Sequence, residues 1–313
     1  MVIIKMCNKP ELILQIDCDS EYVMQTHYGL PLSQENTYYS ALDKFLNRFQ
    51  RAGLKSTLFV VGKDVENKNV QRYIWKAVDN GCEIANHSYD HCNHFSAISY
   101  EEFKVEVQKT NHIISSVFDI SCKGFRAPNF DMNPSYIKIL RKEGIKYDCS
   151  LLSTPFLPLI KLLKGIEANR SGYLGNTYWN PQKPYVPDEI KMWKAKKIKN
   201  CRDIIEIPIT TFPYLRFPCH FSYLLTVNFK IAKQIMKTLI NWHVKRREAL
   251  VFVFHLADLV DNKLLYGIEQ KCYKSLEERL FLLDCFVNMV GNSFNSLTTL
   301  EYYNLIKAGV YEL

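Results

Sequence analysis

Short apolar runs alternate with stretches of helical apolar spacing along most of this chain, and chemistry-bearing polar residues stand where the apolar runs end. Residues 12–16, 56–61, 83–85, 124–126, 146–148, 204–209 and 249–254 read as strands, with a last strand-like run near Leu297. Between them, residues 37–51 carry Leu42, Phe45, Leu46 and Phe49 at helical spacing and stop at Gly53. Residues 70–78 close at Asn80-Gly81. Residues 100–118 follow Ser99, an N-cap with Glu102 three positions on. Residues 134–143 open on Pro134 and end before Gly144. Further helices are expected over 231–242, over 276–290 and from about Leu300. Repeated βα units with wholly apolar strands imply a parallel sheet or a closed barrel.

The ends of the strands decide between these two. Asp17, Asp19, His87, Arg126, Asp148 and His255 all fall at or just after a strand's C-terminal end. A (β/α) barrel builds its site there from several strands. A doubly wound sheet gathers its site at one crevice and usually carries a glycine-rich phosphate loop, which this sequence lacks. The barrel is the expected architecture. Its rhythm breaks between residues 153 and 223, where eight prolines, several aromatic residues and a lysine cluster lie.

Composition narrows the class. The 313 residues are 47% hydrophobic and 23% charged, ordinary for a globular chain able to bury a large core. The run Met1–Lys5 is too short for a secretory signal, and no apolar stretch is long enough to span a bilayer. Ten cysteines without a CxxC pair then read as reduced thiols, and the expected location is cytoplasmic. The net charge is +8, with Lys191, Lys194, Lys196, Lys197 and Lys199 close together. A solvated face is the commoner meaning of such a cluster, and a phosphate-contacting surface the sharper one. No nucleic-acid motif is visible, so no nucleic-acid partner is expected.

His87 and His91 with an aspartate could form a facial cation-binding set that leaves room for water. His94 is a less well spaced alternative. Five ordered segments give this pattern a family likeness. Gln15-Ile16-Asp17-Cys18-Asp19, His87-Ser88-Tyr89-Asp90-His91 after Glu83-Ile84, Arg126-Ala127-Pro128-Asn129-Phe130, Tyr147-Asp148-Cys149-Ser150 and Phe252-Val253-Phe254-His255 together resemble the polysaccharide deacetylase family, the NodB-homology or carbohydrate esterase 4 group. The D-x-D form of the first segment resembles a subset acting on lipid-linked sugars, peptidoglycan or capsule-type polymers. Asn129 replaces a common aromatic residue, and a tryptophan usual near the fourth segment is missing.

The resemblance implies an α/β fold, a distorted (β/α) barrel of about seven strands, here one domain over residues 1–313 with an irregular insert at about 153–223. It implies a divalent metal, zinc first among them, on Asp19, His87 and His91. By the same likeness Asp17 is the general base, Arg126 steadies it, His255 is the general acid, Asp148 keeps His255 protonated, and the Asn129 N–H helps bind the oxyanion. The implied reaction removes an N-acyl group, acetyl first, from an amino sugar in a polysaccharide or lipid-linked saccharide of the cell envelope. The alternatives are a deformylase, a ureide or cyclic-imide hydrolase, and a non-catalytic carbohydrate-binding relative. Apolar residues 155–164 beside the lysine cluster and the 212–217 aromatic run suit contact with an anionic membrane, with a packed lid as the other reading. Cys18, Cys92 and Cys149 are expected as buried thiols rather than ligands. Tyr22 and Trp179 are candidates for a sugar site or for loop packing.

Overall fold

The computed structural model of the chain describes residues 9–28, 37–156, 181–192, 194–196, 203–265, 270–271 and 273–310. Seven parallel strands form a curled sheet: β1 (Glu11–Cys18), β2 (Ser56–Val60), β3 (Glu83–Asn86), β4 (Gly124–Phe125), β5 (Tyr147–Asp148), β8 (Ile205–Glu206) and β9 (Leu250–His255), in the order β9-β1-β2-β3-β4-β5-β8. A short tenth strand, β10 (Asn295–Ser296), joins the start of β1, and β6 (Val186–Pro187) and β7 (Ala195–Lys196) make a separate antiparallel pair. The distorted (β/α) barrel expected from the sequence is what the chain forms. Closure comes from side contacts rather than a ladder: the Thr210 N–H donates to the Val251 carbonyl at 3.1 Å, and the Val251 N–H donates to Thr210 Oγ1 at 3.0 Å.

Strand periodicity separates two cores. On β1, Leu12, Leu14, Ile16 and Cys18 face the surrounding helices, while Ile13 points into the barrel with Phe59, Ala85, Tyr147, Ile205, Ile207 and Val251. The inward positions then turn polar towards the C-terminal ends: Ile13, Gln15, Asp17 on β1; Ala85, His87 after β3; Val251, Val253, His255 on β9. The barrel is filled with apolar side chains at the base and opens on a polar mouth. Gly124 is required by that filling, because a Cβ there would stand 2.1 Å from the Tyr147 ring.

Outside the barrel, α2 (Ser40–Arg51) buries Ala41, Leu42, Phe45, Leu46 and Phe49 on one stripe. Phe45 meets Phe254 edge-on at 5.3 Å, and Phe286 of α8 (Leu276–Val290) stacks on Phe252 at 4.5 Å. Each such phenyl ring withdrawn from water contributes about 1.5–3 kcal/mol. The expected capping box of α4 (Tyr100–Phe118) is present, with the Glu102 N–H donating to Ser99 Oγ at 3.2 Å and the Ser99 N–H to Glu102 Oε2 at 2.7 Å.

Two local expectations needed correction. The strand at 204–209 pairs as a ladder only over Ile205–Glu206, because Pro208 has no N–H to donate, and Ile209 rejoins as a lone bridge to Leu152. Within the irregular segment a helix, α6 (Phe221–Thr226), packs Phe221 on Phe254, with ring centroids 5.1 Å apart. The long helix expected around 231–242 is α7 (Phe229–Arg246). Residues 157–180, with most of the 155–164 run and Trp179, and Lys197 and Lys199 of the lysine cluster lie outside the described residues.

Candidate metal centre and active site

Parallel register brings the strand ends to one level. Asp17 pairs with His255 across β1 and β9, Val60 with Asn86, Asn86 with Phe125, Phe125 with Asp148, and Asp148 with Glu206. Asp19, one residue past β1, meets the loop after β3. Its Oδ1 lies 3.3 Å from His87 Nε2 and 3.3 Å from His91 Nε2. These three residues form a convergent set of ligand atoms within 4.8 Å of one another.

The loop carrying the histidines is shaped by its neighbours. Ser88 and His91 take left-handed backbone angles, φ 64° and 50°. Asn86 Oδ1 accepts the Ser88 N–H at 2.8 Å, and Ser88 Oγ accepts the His91 N–H at 3.1 Å. Glu106 on α4 accepts the N–H groups of Tyr89 and Asp90, each at 2.9 Å. Glu106 is buried, which raises the pKa of its carboxyl, while the two N–H donors oppose that rise.

The donor set fits a divalent cation. His87 Nδ1 lies 2.9 Å from the Arg126 carbonyl, which can only accept, so Nδ1 carries a proton and Nε2 is the ring atom turned to the site, where a cation would take its lone pair. Asp19 Oδ1 is buried and takes no well-aligned hydrogen bond. A positive charge among Asp19 Oδ1, His87 Nε2 and His91 Nε2 would satisfy all three atoms. The protonation preferences agree: burial alone would push the Asp19 carboxyl up, yet His91 and His87 hold it well below the usual carboxylate range. Burial alone would lower His87, and the Asp19, Asp17 and Arg126 carbonyl contacts raise it instead. His94 is not in the convergent set. Burial pushes the Cys18 and Cys149 thiols well up and Cys92 up to about 12, so all three stay protonated.

Asp17 stands beside this set. The fully buried Arg126 donates to Asp17 Oδ1 and to Gln15 Oε1, while its Nε donates to the Cys149 carbonyl at 3.0 Å. Phe59 lies under the guanidinium at 4.1 Å. Held on three sides, Arg126 fixes one Asp17 oxygen and leaves Oδ2 towards His255, whose Nε2 is 3.7 Å away. Asn129 and Phe130, two residues on from the Arg126-Ala127 pair, both have positive φ (54° and 55°), a strained turn of the kind that clusters at functional sites.

His255 differs from expectation. Its Nδ1 lies 2.9 Å from Ser222 Oγ, and Ser222 in turn hydrogen-bonds Asp258. Asp258 also accepts the His255 N–H at 2.8 Å and the Tyr273 hydroxyl at 3.2 Å. Ser222 and Asp258 therefore occupy the orienting position that the sequence reading gave to Asp148. Asp148 instead hydrogen-bonds Ser150 and Glu206. The reason is positional: β5 and β9 are separated around the barrel, while the turn after His255 brings its own carboxylate back. That Asp258 signal was present three residues beyond His255. Ser222 had no sequence signal, since it comes from a helix in the irregular segment. His220, 5.4 Å from the His255 ring and 4.2 Å from Tyr223, was also missed. Tyr22 packs its loop, its hydroxyl donating to Asp90 Oδ1 at 3.0 Å.

The fold and site are those of a (β/α) barrel with a convergent Asp-His-His set and an Asp-Arg pair at its C-terminal mouth. Residues 32–147 match the family model described as polysaccharide deacetylase. The sequence is 28% identical over 117 residues to a peptidoglycan deacetylase of Helicobacter pylori, which covers 37% of this chain and 39% of that protein. It is 27% identical over 94 residues to a bifunctional xylanase/deacetylase of Pseudobutyrivibrio xylanivorans, covering 30% and 15%. The chain thus spans well under half the length of either relative. A structure from Mycobacterium smegmatis named as a polysaccharide deacetylase superposes with a TM-score of 0.65 at 14% identity, over 98% of this chain and 93% of that one, a likeness of fold.

Proposed function

We propose that this chain is a metal-dependent hydrolase that removes an N-acyl group, acetyl in the first instance, from an amino sugar, and that residues 1–313 act as one barrel domain with the 153–223 segment as its insert. The observation carrying this reading is the convergence of Asp19, His87 and His91 beside an Arg-held Asp17. Asp19, His87 and His91 would hold the divalent cation, with zinc suited to an imidazole-carboxylate set. When bound, it supplies Lewis acidity, which makes a water easier to deprotonate and an acyl carbonyl more electrophilic.

The chain's own groups do the proton work. Asp17 takes a proton from the attacking water through the oxygen that Arg126 leaves open. Arg126 holds that carboxylate in place. His255, with Nδ1 turned to Ser222, presents Nε2 to deliver a proton to the leaving amine. The Asn129 backbone N–H, in a turn with positive φ, helps bind the developing oxyanion. A deformylase uses the same groups on a smaller acyl substituent. The intact proton-transfer set favours an enzyme over a binding-only relative. The deciding experiment loads the full chain with zinc and measures acetate and formate release from chitin oligomers, peptidoglycan fragments and lipid-linked amino sugars. Release from any of these supports the reading, and absence from all three with metal bound contradicts it.

A second reading concerns the substrate's setting, a lipid-linked sugar at an anionic membrane. No helix among the described residues is long and apolar enough to cross a membrane. The 41 residues between Glu206 and Glu248 contain seven basic side chains and no acidic one. Within them, the turn Thr211–Pro218 exposes Tyr214 (86%) and Leu215 (68%) beside Arg216, and Tyr214 packs on Trp242 of α7 at 5.0 Å. Apolar tips among cations suit an anionic lipid surface. This keeps the 212–217 aromatic run of the expected membrane contact and adds the basic side chains up to Arg247, while Lys196 of the lysine cluster is ion-paired with Asp188 at 2.9 Å. Flotation with phosphatidylglycerol vesicles, compared with phosphatidylcholine vesicles, tests it. Binding lost in Tyr214→Ser/Leu215→Ser supports the contact, and absence of binding removes it.

A further inference from the structure

Two carboxyl groups are buried together behind Arg126, and the proposed mechanism uses neither. Asp148 and Glu206 are register partners on adjacent parallel strands, both fully inaccessible to solvent. Asp148 Oδ1 accepts the Ser150 hydroxyl, and Glu206 Oε1 accepts the Leu151 N–H at 3.0 Å. The remaining oxygens, Asp148 Oδ2 and Glu206 Oε2, are buried and have no donor from any other group, although the two side chains hydrogen-bond each other. Two ionised carboxylates are acceptors only and cannot make that bond. A proton has to lie between them.

The geometry points to Glu206 as a protonated positioning residue: it donates one hydrogen bond to an ionised Asp148, and the pair, carrying a single negative charge, anchors the Arg126–Asn129 segment. The anchor runs through Ser150. Its hydroxyl donates to Asp148 and accepts the Ala127 N–H at 2.8 Å, directly after Arg126. The Arg126 guanidinium faces both acids from β4, the Cys149 thiol from β5, and the Tyr185 phenol from the segment before β6. Arg126 is the one cation in this group. With both acids ionised it would face two charges here in addition to Asp17. One shared proton leaves it a single charge on each side. The direction of titration agrees, since burial pushes Asp148 up to about 6 and Glu206 well above its ordinary range.

Stability supplied by this proton is complete below the ordinary glutamate range and is lost as pH rises through the raised folded value. The test uses the full chain. Infrared spectra of protein labelled with 13C at glutamate carboxyls should contain a protonated-acid carbonyl band at neutral pH that Glu206→Gln removes. Its absence from the wild type overturns the proposal whether or not any variant folds. Urea midpoints across the neutral and alkaline range should fall for the wild type and be flatter for Glu206→Gln, which keeps a donor, while Glu206→Ala loses stability at every pH. A Glu206→Gln protein as unstable as Glu206→Ala, with the wild-type slope unchanged, also overturns it. The activity arm rests on Asp17 acting as base. There Glu206→Gln should keep the acid limb of the pH–rate profile and lose part of the alkaline fall. A uniform drop at all pH values would mark a merely structural role. If the wild type hydrolyses nothing, the function reading fails and the infrared and unfolding results still stand.

Discussion

The two sides of the barrel mouth bring buried acceptor atoms close together in different ways. At Asp19, His87 and His91 the converging atoms belong to three residues, and Asp19 keeps 15% of its side chain exposed, so an ion can enter and satisfy all of them. At Asp148 and Glu206 both groups have no exposure at all, and the proposed positive charge is a proton shared between them. Arg126 stands between the two sides, bound to Asp17 towards the first and facing Asp148 on the second. On the reading proposed above, accessibility is what separates the cation site, one carboxylate and two imidazoles, from the proton-sharing pair of acids.

Variants that cross this division should have the largest effects. Asp17→Asn should lower turnover on the order of 10²–10⁴-fold, the usual contribution of a positioned base, while metal content stays at wild-type level. Loss of metal as well would place Asp17 among the ligands instead. Arg126→Ala leaves two buried carboxylates without their cation and should lower the unfolding free energy by about 3–5 kcal/mol in urea titration. A change near zero would mean that the guanidinium does not couple the two sides.

Ser222→Ala removes the group that orients His255 and should reduce turnover by roughly 10-fold without altering metal content, as read by steady-state kinetics. An equal or larger loss in Asp148→Asn, with Ser222→Ala silent, would return the orienting role to Asp148. The smallest effect belongs to the exposed tip: Tyr214→Ser should change stability by no more than about 0.5 kcal/mol, since the side chain is almost wholly in water. A larger loss would show that its contact with Trp242 is structural.

Much of this organisation was legible in the sequence because it is local. Strand ends, the His87–His91 spacing and the Ser99–Glu102 cap depend on neighbours within a few positions, and the structure brings Asp17, Asp19, His87, His91, Arg126 and His255 to one mouth. The partners of His255 were harder. Ser222 reaches it from 33 residues away through a helix inside a proline-rich segment with no clear periodicity. Glu206 was visible only as one charge in an apolar run, and its pairing with Asp148 depends on strand register across the barrel, which no local pattern encodes. Asp148 was assigned by motif position, but position on a strand end does not say which neighbouring strand it will face.

The central claim is that Asp19, His87 and His91 hold a cation. Zinc titration of the metal-stripped full chain by calorimetry, with content verified by elemental analysis, tests it directly. One ion per chain is expected at neutral pH, lost in His87→Ala/His91→Ala and retained in Cys18→Ser. Full stoichiometric binding by the double histidine variant would contradict it.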